Sequence, residues 1–413
     1  LYRLTPLSRI SLALTAFTLL LVLIFRNHLL VYTLVLFVTL NTGLFLWSLL
    51  STRGLSVHRE HPATCMKGFP LGVDLVITNK LRTARFSLVG YDYFPAAREG
   101  EQHREIALLS LAPGSSAAVR YEALPARRGK FEIGPFMFYS GDPLGFFRHV
   151  RAMSVMTPLT VFPRPLDTRV NYLNSSSMVP KDELATVPFS GESTEFLGVT
   201  EYQPGDPLRK VHWASTARMG KLITKQFERN VASTMSVLLV NDDRSAVGRS
   251  EEHNPLEYSI TLISTLARET SRSNYYFSFL ELSGAAERHC SGMGSSLFQE
   301  ISLLLAEITP GENLDLKGHS TEILRYLPES SDLIVFIPHL GGGEAEFLAN
   351  LRLHYRLLSV ITFDVDSFRK GMARRTPRSR VSFGQNFLIF ELAYGDDLSR
   401  QLETFVEKVG FVR

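Results

Sequence analysis

The densest run of chemically capable side chains in this 413-residue chain lies between Glu195 and Glu228 and reads EFLGVTEYQPGDPLRKVHWASTARMGKLITKQFE. On a helix, Arg209 and Trp213 are four residues apart and share a face. A guanidinium lying over an indole contributes about 0.5–2 kcal/mol. His212 sits one residue off that face, and Arg218 and Lys225 bring positive charge near Glu201 and Glu228. Two arrangements fit. In one, Asp206, Arg209, Trp213, Arg218 and Glu228 form a buried polar network that docks the helix on a sheet. In the other they form a surface that a partner recognises. Either way the chemistry is binding. Hydrolysis would need another set, such as a metal gathered by Asp242, Asp243 and His339. No acid–base or nucleophile constellation accompanies that set.

The elements that must position these residues can be read locally. Asp206 is suited to cap a helix, Pro207 to its first position and Gly220 to its end. The run is therefore expected to be helical from Pro207 to Gly220. Leu208, Val211 and Ser215 give it a narrow apolar stripe.

So many specified residues at fixed spacing resemble the signature of the domain of unknown function 58 family. There, E-Y-x-x-G-D-x-x-R-x-[DH]-W-x-x-[ST]-A-R leads into a von Willebrand A-like domain. The matching positions are Glu201, Tyr202, Gly205, Asp206, Arg209, His212, Trp213, Ala217 and Arg218, with Phe227 and Glu228 following. The fragments RRGKFEIGP (Arg127 to Pro135), DPLGFF (Asp142 to Phe147) and VFP resemble the region upstream of the signature. The resemblance implies a membrane-tethered, non-catalytic factor associated with a MoxR-type AAA+ ATPase and acting on an unknown client protein. It also implies a metal-dependent adhesion motif, D-x-S-x-S, after the first strand of the α/β domain. Aligned on that motif, LLVNDDRSAV offers Asn241, Asp243 and Ser245. The first Asp has become Asn and the first Ser has become Asp. Pro338-His339 stands where a later Asp is expected. The set is degenerate, so either no cofactor or weakly bound Mg²⁺ is expected.

Charge is nearly balanced, at formal net +3, which argues against nucleic acid as a partner. Cys65 and Cys290 lie far apart, which excludes a cysteine-built zinc site and suits a reducing compartment. There is no P-loop, H-E-x-x-H or G-x-S-x-G. Gly341-Gly342-Gly343 lacks the residues that would make it a phosphate loop.

Two stretches, Ile10 to Phe25 and Leu29 to Leu50, carry no charge. The second reaches roughly 33 Å as a helix, enough to span a bilayer. Neither shows the polar stripe of a soluble helix. With only Arg26-Asn27-His28 between them they read as a transmembrane hairpin. Arg3 and Arg9 precede it and Arg53, His58, Arg59 and Lys67 follow, so both termini are expected in the cytoplasm, beneath an inner cell membrane.

From Leu55 to Pro163 short β-branched and aromatic runs alternate with turns, as in an all-β immunoglobulin-like sandwich. Asn171 to Pro188 is polar and linker-like. After Thr234, buried-type strands alternate with amphipathic helices, the pattern of a parallel α/β sheet, here von Willebrand A-like and Rossmann-like. The basic run Arg369 to Arg380 would contact solvent or acidic membrane lipid. The chain is thus expected to be multi-domain: a transmembrane hairpin at 1–53, a sandwich at 54–165, a linker at 166–190, the signature at 191–230 and the α/β domain at 231–413. The expected role is that of an adaptor. A metal-assisted hydrolase and a purely structural membrane scaffold are the alternatives.

Overall fold

The computed structural model describes residues 2–142, 144, 146–168, 196–201, 211–227, 234–248, 252–273, 275–284, 287–312, 314, 316–329, 331–373 and 386–412. It divides into two units: residues 1–164 with 302–308, and residues 165–301 with 309–413.

The first unit begins with β1 (Tyr2–Leu4), then two helices long and apolar enough to cross a membrane, α1 (Pro6–Phe25) and α2 (His28–Ser51). Thr5 caps α1 and Pro6 opens it. Arg26, in the left-handed region, and Asn27, which caps α2, make the connection. Leu23, Phe25 and Leu29 are about two-thirds exposed, a surface suited to hydrocarbon. The inner seam differs from the sequence expectation, because a polar line does exist. Ser11 Oγ donates to Asn41 Oδ1 at 2.9 Å, and Asn41 Nδ2 donates to Thr15 Oγ1 at 3.2 Å. Small uncharged side chains build this line, so counting charges does not reveal it.

Ten strands follow: β2 (Leu55–Glu60), β3 (Thr64–Met66), β4 (Leu71–Asn79), β5 (Arg85–Tyr93), β6 (His103–Leu111), β7 (Ser116–Ala123), β8 (Gly129–Ile133), β9 (Phe136–Gly141), β10 (Phe147–Met153) and β11 (Thr157–Phe162). They form sheets ordered β1-β10-β9-β5-β6, β2-β4-β7 and β3-β11-β8. Leu75 and Ile77 from β4 share one core with Leu88, Ile106, Phe136 and Phe138 from the five-stranded sheet. The run KFEIGPFMFYS, one strand by its sequence pattern, is split into β8 and β9 at Gly134-Pro135. A Cβ on Gly134 would lie 2.2 Å from Val155 O, and its φ is +121°. The pairing of β1 with β10 lies outside the expected hairpin-then-sandwich order.

The second unit opens with β12 (Phe196–Glu201), α3 (Trp213–Met219) and β13 (Ile223–Phe227), the two strands pairing antiparallel. Then come β14 (Thr234–Asn241), α4 (Pro255–Arg272), β15 (Tyr276–Ser283), β16 (Glu287–Gly292) and α5 (Gly294–Glu307), whose last residues group with the first unit. The chain continues through α6 (Ser320–Tyr326), β17 (Asp332–Ile337), α7 (Gly342–Leu351), β18 (Leu357–Phe363), α8 (Val365–Lys370), β19 (Phe387–Leu392) and α9 (Leu398–Val412).

The sheet order is β16-β15-β14-β17-β18-β19. Every residue of β17 and β18 is buried, as strands covered on both faces require. Helix α4 buries Leu256, Ile260, Ile263 and Ala267, one face of a 3.6-residue period. The sheet is not wholly parallel: β16 runs antiparallel to β15 at the edge. Its burial is confined to part of the strand, so it lacks the continuous apolar run that marks the others. The first strand, β14, lies at the centre, with β15 on one side and β17 on the other. The chain's connections part there, and such a parting opens a crevice at the strands' C-terminal ends.

Candidate functional site

The described part of the signature is built around His212. Its backbone N–H donates to Ile223 O at 2.7 Å, which pins it to β13. Its Nδ1 accepts from the Ser215 backbone N–H at 3.3 Å, making it the cap of α3. Gly220 ends the helix at φ 68° and Thr216 Oγ1 accepts from Ile223 N–H. The expected helix from Pro207 therefore does not hold at Val211 and His212, because the His212 N–H is taken by a strand. The expected Arg209–Trp213 pairing falls on Arg209, outside the described residues.

Val211 is buried, as its place in the apolar stripe implied, but α3 buries none of its own side chains. Trp213 is 67% exposed and Met219 64%. Ala217 and Arg218 are exposed beside them. Glu201 ends β12 opposite Ile223, and Phe227 ends β13 opposite Phe196. Tyr202, Gly205, Asp206, Arg209 and Glu228 lie outside the described residues.

The C-terminal end of β14 carries the second cluster, with Asn241 bonded on the β15 side and the Asp242–Arg244 turn bonded on the β17 side. Asn241, fully buried, donates from Nδ2 to Glu281 Oε1 at 2.7 Å and to Thr309 O at 2.8 Å. Its Oδ1 accepts from Gly311 N–H at 3.0 Å. Glu281, also fully buried, is neutralised by Arg288 at 2.7 Å. Asp242 caps the 3₁₀ turn Asp243–Ala246, and Ser245 Oγ accepts from the Asp242 N–H. Arg244 reaches back to Asp242, with Nε 2.7 Å and Nη2 2.6 Å from Oδ2. The same Nη2 donates to Glu344 Oε1 at 2.9 Å, in the first turn of α7. Glu344 Oε2 accepts from Gly341 N–H. Burial opposes both charges. Even so, hydrogen bonds to Asp242 and Glu344 hold the Arg244 guanidinium above its ordinary pKa. Backbone N–H groups and Arg244 likewise hold the Glu344 carboxyl below the usual carboxylate range.

The positions aligned on the adhesion motif do not converge as ligands. Asn241 Oδ1 and Ser245 Oγ already accept backbone hydrogen bonds, and Asp243 is exposed. Within this turn the buried carboxylate is Asp242, and it is ion-paired with Arg244. This set does not fit Mg²⁺, which demands near-octahedral oxygen ligands. His339, considered for hydrolysis, is exposed, as is Asp243.

Two features had no sequence signal, because their residues are far apart in the chain. Ligand atoms of Glu287, His319 and Glu322 lie within 4.8 Å of one another, a set chemically able to hold a cation. A hydrogen bond from His319 leads the effects that lower the Glu322 pKa. A cleft of about 330 Å³ is lined in part by Glu252, His253, Glu257, Tyr258, Asp396 and Asp397, a composition suited to a cationic group.

Residues 198–364 match the family model described as "Protein of unknown function DUF58". The chain carries a DUF58 region. This DUF58 region runs from within β12 to the end of β18 and contains both α3 and the Asp242–Arg244–Glu344 cluster. The upstream fragments RRGKFEIGP and DPLGFF lie outside it. No curated protein matches the chain. Among solved structures, the CARDB domain of PF1109 from Pyrococcus furiosus is similar at 12% identity, over 26% of this chain and 94% of that one, with a TM-score of 0.20. The same domain in complex with di-metal ions gives 14%, 26%, 86% and 0.20. The PKD domain of an M14-like peptidase from a Thermoplasmatales archaeon gives 13%, 26%, 93% and 0.16. At such TM-scores these likenesses decide nothing about fold or function.

Proposed function

We propose that this chain is a membrane-anchored, non-catalytic adaptor whose DUF58 region presents α3 to a partner protein. One observation carries the reading: Trp213 stands 67% exposed on a helix that buries none of its side chains. A large aromatic left in solvent beside Arg218 has the composition of an interface anchor, since Trp and Arg dominate binding hot spots. Its exposure favours an interface over a docking role inside the fold.

The partner class follows from the family resemblance: a MoxR-type AAA+ ATPase, acting with this chain on an unknown client in or near the membrane. The strand order, with β14 central and an antiparallel edge strand, supports reading the α/β unit as von Willebrand A-like. The two packed sheets that share one core support an immunoglobulin-like reading of the β-rich unit. Arg3, Arg9, Arg53 and Arg59 flank the hairpin on its terminal side and support an inner-membrane location with both termini cytoplasmic.

The test is affinity purification of the full chain from gently solubilised native membranes, with co-purifying proteins identified by mass spectrometry. A MoxR-type ATPase retained by the wild type and lost on Trp213→Ala, with unfolding unchanged, is the expected result. Recovery of the chain alone, with nucleotide present, would overturn the reading and favour a scaffold.

A further inference from the structure

We propose that Arg244 is the resident cation of the crevice between β14 and β17, holding Asp242 and Glu344 together where a divalent ion would otherwise be needed. The two carboxylates come from different elements. Asp242 follows the central strand, and Glu344 opens the helix after β17. Asp242 is 1% exposed. Two such carboxylates brought to one point repel, and a buried one requires a counter-charge. Arg244 supplies it to both, through contacts of 2.6 Å to Asp242 and 2.9 Å to Glu344. A guanidinium is always charged and its rigid fork suits two acceptors at once.

The remaining oxygens argue the same way. Asp242 Oδ1 accepts from Arg244 N–H, Ser245 Oγ from Asp242 N–H, and Asn241 Oδ1 from Gly311 N–H. Each accepts from the backbone. An ion entering between Asp242 and Glu344 would have to displace the guanidinium that both carboxylates share. Removing the guanidinium should do the reverse and leave Asp242 and Glu344 as a vacant acidic pair that recruits a hard cation. The inference does not depend on the adaptor reading.

The experiment uses the full chain in detergent micelles, with Mn²⁺ as the probe. Bound Mn²⁺ is counted from loss of the free-ion spin-resonance signal. The wild type is expected to hold no Mn²⁺ that depends on Asp242. Mn²⁺ held at Glu287, His319 and Glu322 would survive Asp242→Asn and is subtracted on that criterion. Arg244→Ala is expected to hold one more Mn²⁺ per chain than the wild type and to lose it on adding Glu344→Gln. Mg²⁺ should raise the unfolding midpoint of Arg244→Ala by more than it raises that of the wild type. Stoichiometric Mn²⁺ on the wild type that disappears in Asp242→Asn would overturn the proposal. So would a folded Arg244→Ala that gains no Mn²⁺. Should Arg244→Ala fold only when Mg²⁺ is supplied, the proposal stands, because the ion then takes the place of the guanidinium. Should it fold under neither condition, Arg244→Gln is counted for Mn²⁺ instead, and a folded Arg244→Gln that gains no Mn²⁺ sinks the proposal.

Discussion

His212 and Ser215 close the start of α3 on each other, with His212 Nδ1 3.3 Å from the Ser215 N and 2.7 Å from its Oγ. A residue placed mid-helix by its sequence context is therefore the cap. An N-cap side chain is worth about 1 kcal/mol to its helix. His212→Ala should speed amide hydrogen exchange at Thr216 to Met219 roughly fivefold, which is what about 1 kcal/mol of local stability implies. His212→Asn should restore most of the protection. Equal exchange in wild type and His212→Ala would show that β13, not the cap, holds the helix.

Arg59 and Asp92 form a fully buried ion pair in the β-rich unit. Arg59 Nη1 also donates to Ile133 O at 2.7 Å and Val155 O at 2.9 Å, and Tyr121 Oη donates to Asp92 at 2.7 Å. Burial, then Asp92, pushes the Tyr121 hydroxyl far above its ordinary pKa. Asp92→Leu leaves a buried guanidinium without its counter-ion and should cost about 3–5 kcal/mol. Arg59→Met with Asp92→Leu should cost less than either single change. Urea midpoints of the four proteins, compared as a double-mutant cycle, test this.

Asn41 joins the two hairpin helices by hydrogen bonds to Ser11 and Thr15. Polar contacts of this kind between membrane helices are worth about 0.6–2 kcal/mol. Asn41→Leu should lower the unfolding midpoint of the hairpin in mixed detergent–SDS micelles, whereas Leu36→Ala, on the exposed face, should leave it in place.

The Glu344 carboxyl is held below its ordinary range in the folded chain. A depressed carboxylate contributes stability that is fully present above its unfolded pKa, about 4.3, and is lost as pH falls through the lower folded value. Wild type should therefore exceed Glu344→Gln in stability at neutral pH. The two curves should converge in acid, below the ordinary carboxylate range. A constant gap across pH would assign the effect of Glu344 to packing.

Much of the second unit could be read from the sequence, because strands such as TMSVLLVN and DLIVFI are buried on both faces and so lose all alternation. The same logic passes over β16, an edge strand with polar positions, and β1, three residues long. For the turn after β14, the aligned motif and the observed ion pairs involve different side chains. Asn241, Asp243 and Ser245 were expected, whereas Asp242 and Arg244 carry the charges that meet. Their partner Glu344 lies a hundred residues further on, and spacing along a chain does not encode that contact. The exposure of Trp213 was likewise undecidable. A cation–π partner and an interface anchor look alike in sequence.

The pairing of β1 with β10 has a mechanical meaning. The hairpin is fastened to the β-rich unit at both of its ends: before α1 by the β1–β10 ladder and the Thr5–Phe146 hydrogen bond, and after α2 by direct continuation into β2 and by Arg151 donating to Thr52 O. A single tether would let that unit swivel about one chain segment. Two attachments divide any load between them and restrain rotation. Force applied to the β-rich unit therefore reaches both helices together, and tilting one of them without the other requires breaking the short ladder first.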